Sequence, residues 1–166
     1  MQTTILGSRV DPTSYSKVVT QVLKWVSTCK YSCVVYAASV HMVMEAYDSP
    51  RFKSILNSAD IVTPDGMPLV WALRHKGYPD QKRVYGPTLM LEVLQAAAEK
   101  NIPVGFYGDT QPVLDRLAQN LKERFPDLHI SALISPPFRS LTKEEDSSFI
   151  EQINKSGAKI LFVGLG

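Results

Sequence analysis

The sequence predicts an α/β fold, a mostly parallel sheet flanked by helices on both faces in a single domain spanning residues 1–166. Three observations predict it. Short continuous apolar runs recur, Cys33–Ala38 and Ile160–Val163 among them, with the length and composition of strands buried on both faces. Segments with apolar residues at helical spacing stand between them. The links are short, and strand–helix alternation with short links gives parallel sheets. A chain of 166 residues buries roughly 70% of its extended surface, enough for a core without disulfides or metal.

The elements follow in order. Lys17 to Val26 places Val18, Val19, Val22, Leu23 and Val26 on one helical face, with Ser14 or Ser16 as cap. Cys33-Val34-Val35-Tyr36-Ala37-Ala38 is the first strand. Val40 to Tyr47 reads as helix, and Pro50 introduces a short one over Arg51 to Asn57. Asp60-Ile61-Val62-Thr63 is the second strand, stopped by Pro64-Asp65-Gly66. Met67 to Lys76 is a helix ended by Gly77. Thr88 to Lys100 is a helix with an Ala-rich face, and Pro103 to Tyr107 the third strand. Gln111 to Phe125 is a helix striped by Val113, Leu114, Leu117, Leu121 and Phe125. Leu128 to Ile134 is the fourth strand. Thr142-x-x-Glu145 is a capping box opening a helix to Asn154, and Lys159 to Val163 is the fifth strand. The arrangement is Rossmann-like. An interior-type strand stopping three residues before Gly166 predicts that a C-terminal segment is missing.

Composition excludes several classes. The formal net charge is +2, with no basic stripe interleaved with aromatics, so nucleic acid is not an expected partner. Gly and Pro make up 20 of the 166 residues, an average share that excludes low-complexity classes. Cys29 and Cys33 are too few for a disulfide framework, and C-x-x-x-C is not the redox spacing. They read as reduced, near-core thiols of a cytoplasmic protein. Residues 1–10 lack a signal-peptide pattern. The longest uncharged apolar stretch, Cys33 to Val40, falls short of the ~20 residues that span a bilayer. His41, His75 and His129 have no partners in sequence that suggest a metal site. There is no Walker A sequence, no G-x-S-x-G and no G-x-G-x-x-G.

Ligands of open α/β sheets bind at the carboxyl ends of the strands. Ser39 and His41 follow the first strand. Thr63, Asp65 and Gly66 lie at the end of the second, Gly108, Asp109 and Thr110 of the third. Ser135, Pro136, Pro137, Phe138 and Arg139 follow the fourth, and Gly164 and Gly166 the fifth. Asp65 is the most informative. A stiff Pro64 and a permissive Gly66 hold it, which suits a general base or ligand-binding carboxylate. It suits equally an N-cap for the helix at Met67. Gly108-Asp109-Thr110 is either a turn plus cap or a ligand-binding turn, with Asp109 placed to accept a sugar hydroxyl. Arg83 is either a solvated surface residue or a bidentate ligand for a diphosphate. Gly86-Pro87 opens the next helix.

Asp60-Ile61-Val62-Thr63-Pro64-Asp65-Gly66 resembles the central A-D-x-V-x-P-D-G motif of the WecG/TagA/CpsF family of bacterial glycosyltransferases. Five further stretches agree in the same order: Arg83–Pro87, Val104–Gly108, Arg124–Leu128, Ser135–Phe138 and Ile160–Gly166. The resemblance runs from about Ile5 to Gly166. It implies an inverting hexosyltransferase without metal or other cofactor. The implied donor is a UDP-sugar, of the N-acetylmannosamine type or a relative. The implied acceptor is a polyprenyl-diphosphate-linked sugar, in the synthesis of teichoic acid, capsule or exopolysaccharide. It makes Asp65 the general base and Arg83 the residue holding diphosphate. It places Ala37, Ser39, Thr63, Gly66, Gly86, Gly108, Asp109, Pro137, Gly164 and Gly166 at the substrates.

Three features depart from the family pattern. Ala37 and Ser39 stand where the family has T-x-N, and Gly108-Asp109 where it commonly has G-G. The family also continues past G-L-G with a P-K-Q-E-x-W segment and a C-terminal appendage. The first departure opens an alternative, a UDP-sugar-binding module with impaired catalysis. The third implies a cytoplasmic protein, peripheral to the inner membrane face, that meets the membrane only through the missing segment. Apolar surface left uncovered by that segment would favour a homo-oligomer.

Overall fold

The computed structural model describes residues 3–165. The chain divides into two compact units, Met1–Glu92 and Val93–Gly166. Its strands and helices alternate as the sequence predicts, and the pairings after the N-terminal hairpin are parallel.

The first unit opens with β1 (Thr4–Ile5) and β2 (Ser8–Arg9), an antiparallel hairpin. It turns at Leu6 and Gly7, both at positive φ, the backbone of the two-residue turns that match strand twist. Then come α1 (Tyr15–Thr28), β3 (Val35–Ala38), α2 (Val40–Asp48), α3 (Pro50–Asn57), β4 (Ile61–Pro64) and α4 (Met67–His75). Ser14 caps α1, accepting the Lys17 amide. α5 (Gly86–Glu99) starts in this unit and opens at Gly86-Pro87, ahead of the Ala-rich stretch from Thr88. β3 and β4 pair in parallel from Val35↔Ile61 to Ala38↔Pro64. β3 is shorter than Cys33–Ala38 because the Asp60 carboxylate takes the Val34 amide at 2.8 Å, so the ladder begins at Val35. Val10, Ala38, Val43, Ala46, Leu56, Ala59, Val62, Leu69 and Leu73 form the core.

A buried polar knot ties the hairpin to β4. The Arg9 guanidinium meets both oxygens of Asp11, at 3.0 and 2.9 Å, and the carbonyls of Ala59 and Asp60. Asp11 in turn accepts the Val62 amide at 2.8 Å. Such added hydrogen bonds are what make a largely buried ion pair tolerable. Ser8 beside it differs. It is fully buried, and its hydroxyl has no partner among the described residues. A buried hydroxyl without a partner costs about 1–3 kcal/mol. Ser8→Ala will therefore raise the denaturation midpoint, by about 1 kcal/mol of stability. A lower midpoint would show that the hydroxyl is satisfied in solution.

Cys29 and Cys33 are free thiols, half-buried, with sulfurs 3.6 Å apart. Burial, and then the hydrogen bond to Cys29, pushes the Cys33 thiol up to about 11.

The second unit holds β5 (Val104–Gly108), α6 (Gln111–Arg124), β6 (Ile130–Ile134), α7 (Lys143–Ser156) and β7 (Ile160–Gly164). Its sheet runs β6-β5-β7, all parallel. The chain leaves β5 for one neighbour and returns past it to the other. Right-handed crossovers in opposite directions set α6 and α7 on opposite faces. Alternation along β5 agrees: Tyr107 meets Phe149 of α7 edge-on at 5.9 Å, while Phe106 stacks on Phe162 of β7 at 5.3 Å.

α7 opens with the predicted capping box. Thr142 accepts the Glu145 amide and Glu145 accepts the Thr142 amide. Arg139 grips the same Glu145 carboxylate through both terminal nitrogens, each at 2.7 Å. The Arg139 hydrogen bonds, then that from Thr142, hold this carboxyl down at about 2, from an ordinary 4.5. A depressed acid contributes stability above its unfolded value and loses it as pH falls. The junction before α7 will therefore stay protected from amide exchange above pH 4.5 and open progressively towards pH 2. NMR titration of Glu145 checks this, and a midpoint near 4.5 would refute the clamp.

Candidate active site

β4 ends at Pro64, and the Asp65 amide still bonds the Ala38 carbonyl of β3, at 3.0 Å. That fixes the Asp65 backbone at the carboxyl end of the strand pair. The cap of α4 is Gly66, with no side-chain cap bond. Asp65 is therefore not the N-cap that its position before Met67 allowed, because its carboxylate is bound elsewhere. One oxygen, Oδ1, accepts from Arg83 Nη2 at 2.8 Å and Nε at 3.1 Å. The other, Oδ2, accepts the Gly86 amide at 3.0 Å. Arg83 Nε also reaches the Asp65 carbonyl. Arg83 is thus not a free surface residue. Its side chain is 45% exposed and that of Asp65 is 15% exposed.

The segment carrying Arg83 is strapped down residue by residue. The Val84 amide donates to the Pro64 carbonyl at 3.0 Å, and the Tyr85 amide to the Tyr15 hydroxyl at 2.9 Å. The buried Gln81 side chain bonds the backbone of Thr13 in both directions, at 3.0 and 2.7 Å. Arg74 Nε holds the Gln81 carbonyl at 2.9 Å. The Tyr85 ring lies against the guanidinium, 4.4 Å from the Arg83 carbon to the ring centroid. Gly86 packs closely: a Cβ there would come 3.1 Å from the Ala37 methyl and 3.4 Å from Asp65 Oδ2.

The other expected residues of this unit divide. Ala37 presents only its methyl to the Gly86 backbone. Ser39 caps α2, its hydroxyl accepting the Met42 amide at 3.2 Å. Gly66 packs closely on Val40. Thr63 is fully buried, and its hydroxyl donates to the Val84 carbonyl at 3.4 Å. It holds up the Arg83 segment and offers no surface to a ligand, which corrects its place among the substrate contacts. His41 is exposed, 3.9 Å from Glu45.

In the second unit, Gly108, Asp109, Ser135 and Gly164 come together at the carboxyl ends of β5, β6 and β7. Gly108 has φ +140° and Asp109 φ +51°. Gly108 pairs with Gly164 across β5 and β7. The Ser135 hydroxyl donates to the Asp109 carbonyl at 2.6 Å, and Asp109 Oδ1 accepts the Thr110 amide at 2.7 Å. Of the two, only Asp109 carries a Cβ, so the strain of a positive φ falls on it and the bonds around it hold it there. Pro137 is half-buried, its carbonyl bonded by the Arg139 amide at 2.8 Å. Gly164 is exposed. Gly166 lies outside the described residues.

Tyr15 and Tyr85 stand out in the structure but not in the sequence. The signal for Tyr85 is the spacing Arg83-x-Tyr85: in an extended segment, residues two apart share a side. Tyr15 has no such signal, since its partner is 70 residues away.

A curated protein of Bacillus spizizenii, N-acetylglucosaminyldiphosphoundecaprenol N-acetyl-beta-D-mannosaminyltransferase, is 28% identical over 132 residues. The match covers 80% of this chain and 49% of that protein, so the chain spans about half the length of the curated relative it matches. The sequence profile described as the glycosyl transferase WecG/TagA/CpsF family matches residues 3–166, and the chain belongs to that family.

Proposed function

We propose that this chain is the core of an inverting glycosyltransferase. It moves an N-acetylmannosamine-type sugar from a UDP-sugar to a polyprenyl-diphosphate-linked sugar, in cell-surface polysaccharide synthesis. Family membership and the name of the Bacillus relative support the reaction class. The observation that carries the site is the Asp65 carboxylate. It is held by Arg83 and Gly86 at the strand ends rather than spent on its own helix.

The chemistry follows from that placement. An acceptor hydroxyl is a weak nucleophile until a base takes its proton. A carboxylate has about four lone-pair sites, and three N–H groups occupy three of them here. The fourth takes the hydroxyl proton as the acceptor oxygen bonds to the anomeric carbon. The carbon–oxygen bond to UDP breaks on the opposite side, and UDP leaves with the electron pair. The anomeric centre inverts. Negative charge grows on the diphosphate, and Arg83 stabilises it in a fixed position. In this proposal the protein works at the inner face of the membrane, where the lipid-linked acceptor lies. Among the described residues, no helix is long and apolar enough to cross a membrane.

The test is transfer by the full-length protein from UDP-N-acetylmannosamine to a short-chain polyprenyl-diphosphate N-acetylglucosamine. Formation of the lipid-linked disaccharide is the expected result. Ala37 and Ser39 favour a second reading, a UDP-sugar-binding module. Ala37 offers no polar group, and the Ser39 oxygen is engaged as a cap. Calorimetric binding of UDP with no transfer to any lipid-linked acceptor would establish that reading instead.

A further inference from the structure

Arg83 engages Asp65 with only one edge of its guanidinium, Nε and Nη2. Among the described residues, Nη1 donates to nothing. These bonds, and that of Nε to the Asp65 carbonyl, all lie along one edge, so none of them braces the face of the guanidinium or its Nη1 end. The face is braced by Tyr85, whose ring lies 4.4 Å from the guanidinium carbon. The backbone behind the ring is immobilised. The amides of Val84, Tyr85 and Gly86 are taken in turn by the Pro64 carbonyl, the Tyr15 hydroxyl and Asp65 Oδ2.

We propose that Tyr85 is a positioning residue. Its ring fixes the guanidinium plane of Arg83, so that one edge stays on Asp65 and Nη1 is offered to a diphosphate oxygen. Tyr15 holds the backbone that carries the ring, through the Tyr85 amide. A long, flexible arginine side chain loses rotamer freedom when it binds an anion. A ring that already holds its plane meets that cost before the ligand arrives, and the attraction of the cation to the ring face supplies the hold. The inference rests on the reading of Arg83 as the diphosphate ligand.

The test uses the full-length protein, UDP titrated by calorimetry, and steady-state kinetics in the donor. Tyr85→Leu will weaken UDP binding and raise the donor KM by about tenfold, with a smaller fall in kcat. Tyr85→Phe keeps the ring and will stay within about twofold. In an Arg83→Ala background, Tyr85→Leu will add less than about twofold, because the ring then has nothing to hold. The shelf role falls if Tyr85→Leu binds UDP normally, if Tyr85→Phe is equally impaired, or if the loss is fully retained without Arg83. Unchanged UDP affinity in Arg83→Ala alone overturns the reading of Arg83 itself, and the shelf with it. Should Tyr85→Leu fail to fold, Tyr15→Phe decides. It removes the acceptor of the Tyr85 amide, and is expected to weaken UDP about threefold. No change there overturns the proposal.

Discussion

Asp65→Asn will lower the transfer rate of the full-length protein by about 10²–10⁴-fold, the usual contribution of a positioned general base. The amide is close to the same size, so the substitution leaves the backbone of β4 and the Gly66 cap undisturbed. What it removes is specific. Asparagine has one acceptor oxygen, whereas Asp65 uses two, one for Arg83 and one for the Gly86 amide. The variant can satisfy only one of them, and its amide nitrogen accepts no proton from a sugar hydroxyl. Because the Arg83 side chain is 45% exposed, the stability lost with the ion pair stays below about 1 kcal/mol. Affinity for UDP will change far less than kcat, since Arg83 keeps its place on Tyr85. Turnover within a few fold of the unmodified protein would take Asp65 out of the mechanism. A fall in kcat accompanied by a large fall in melting temperature would assign it to the scaffold. The informative result is a fall in kcat with folding and UDP binding retained.

The alternation of strands and helices is readable because it is a local property. Five apolar runs and the helical stripes between them each fit within a dozen or so residues, and the structure places strands and helices on them. The N-terminal hairpin is not readable in the same way. Its strands are two residues long, too short for any period. Arg9 holds the hairpin by reaching carbonyls 50 and 51 residues away. The same limit governs Asp65. Its neighbours Pro64 and Gly66 fix where it stands, but base and cap are both open to a carboxylate there. The choice is made by Arg83 and Gly86, 18 and 21 residues later. Thr63 shows the reverse error. A hydroxyl at a strand end looks like a ligand contact, yet here it is fully buried and turned to the Val84 carbonyl. The family was legible from six collinear motifs, which together hold the long-range information that a single motif lacks.

Gly108→Ala will destabilise the protein by about 4 kcal/mol or more, while Gly164→Ala, at the facing position, will change stability by less than about 0.5 kcal/mol. The two glycines pair across β5 and β7, yet their backbones impose different demands. Gly108 has φ +140°, a region closed to residues with a Cβ. A Cβ there would also overlap the carbonyl of Gly164. That obstacle is backbone, so no side-chain rotation relieves it, and the last rung of the β5–β7 ladder has to open. The strain spreads to the next residue, because Asp109 is itself at φ +51° and depends on the Ser135 hydroxyl and the Thr110 amide to stay there. At Gly164, by contrast, an added Cβ meets nothing within 4 Å among the described residues. Denaturant unfolding of the two variants measures the contrast directly. Equal midpoints would mean that the end of β5 does not run against the last carbonyl of β7 in solution. The turn from Gly108 to Thr110 would then lose the close packing that sets its shape.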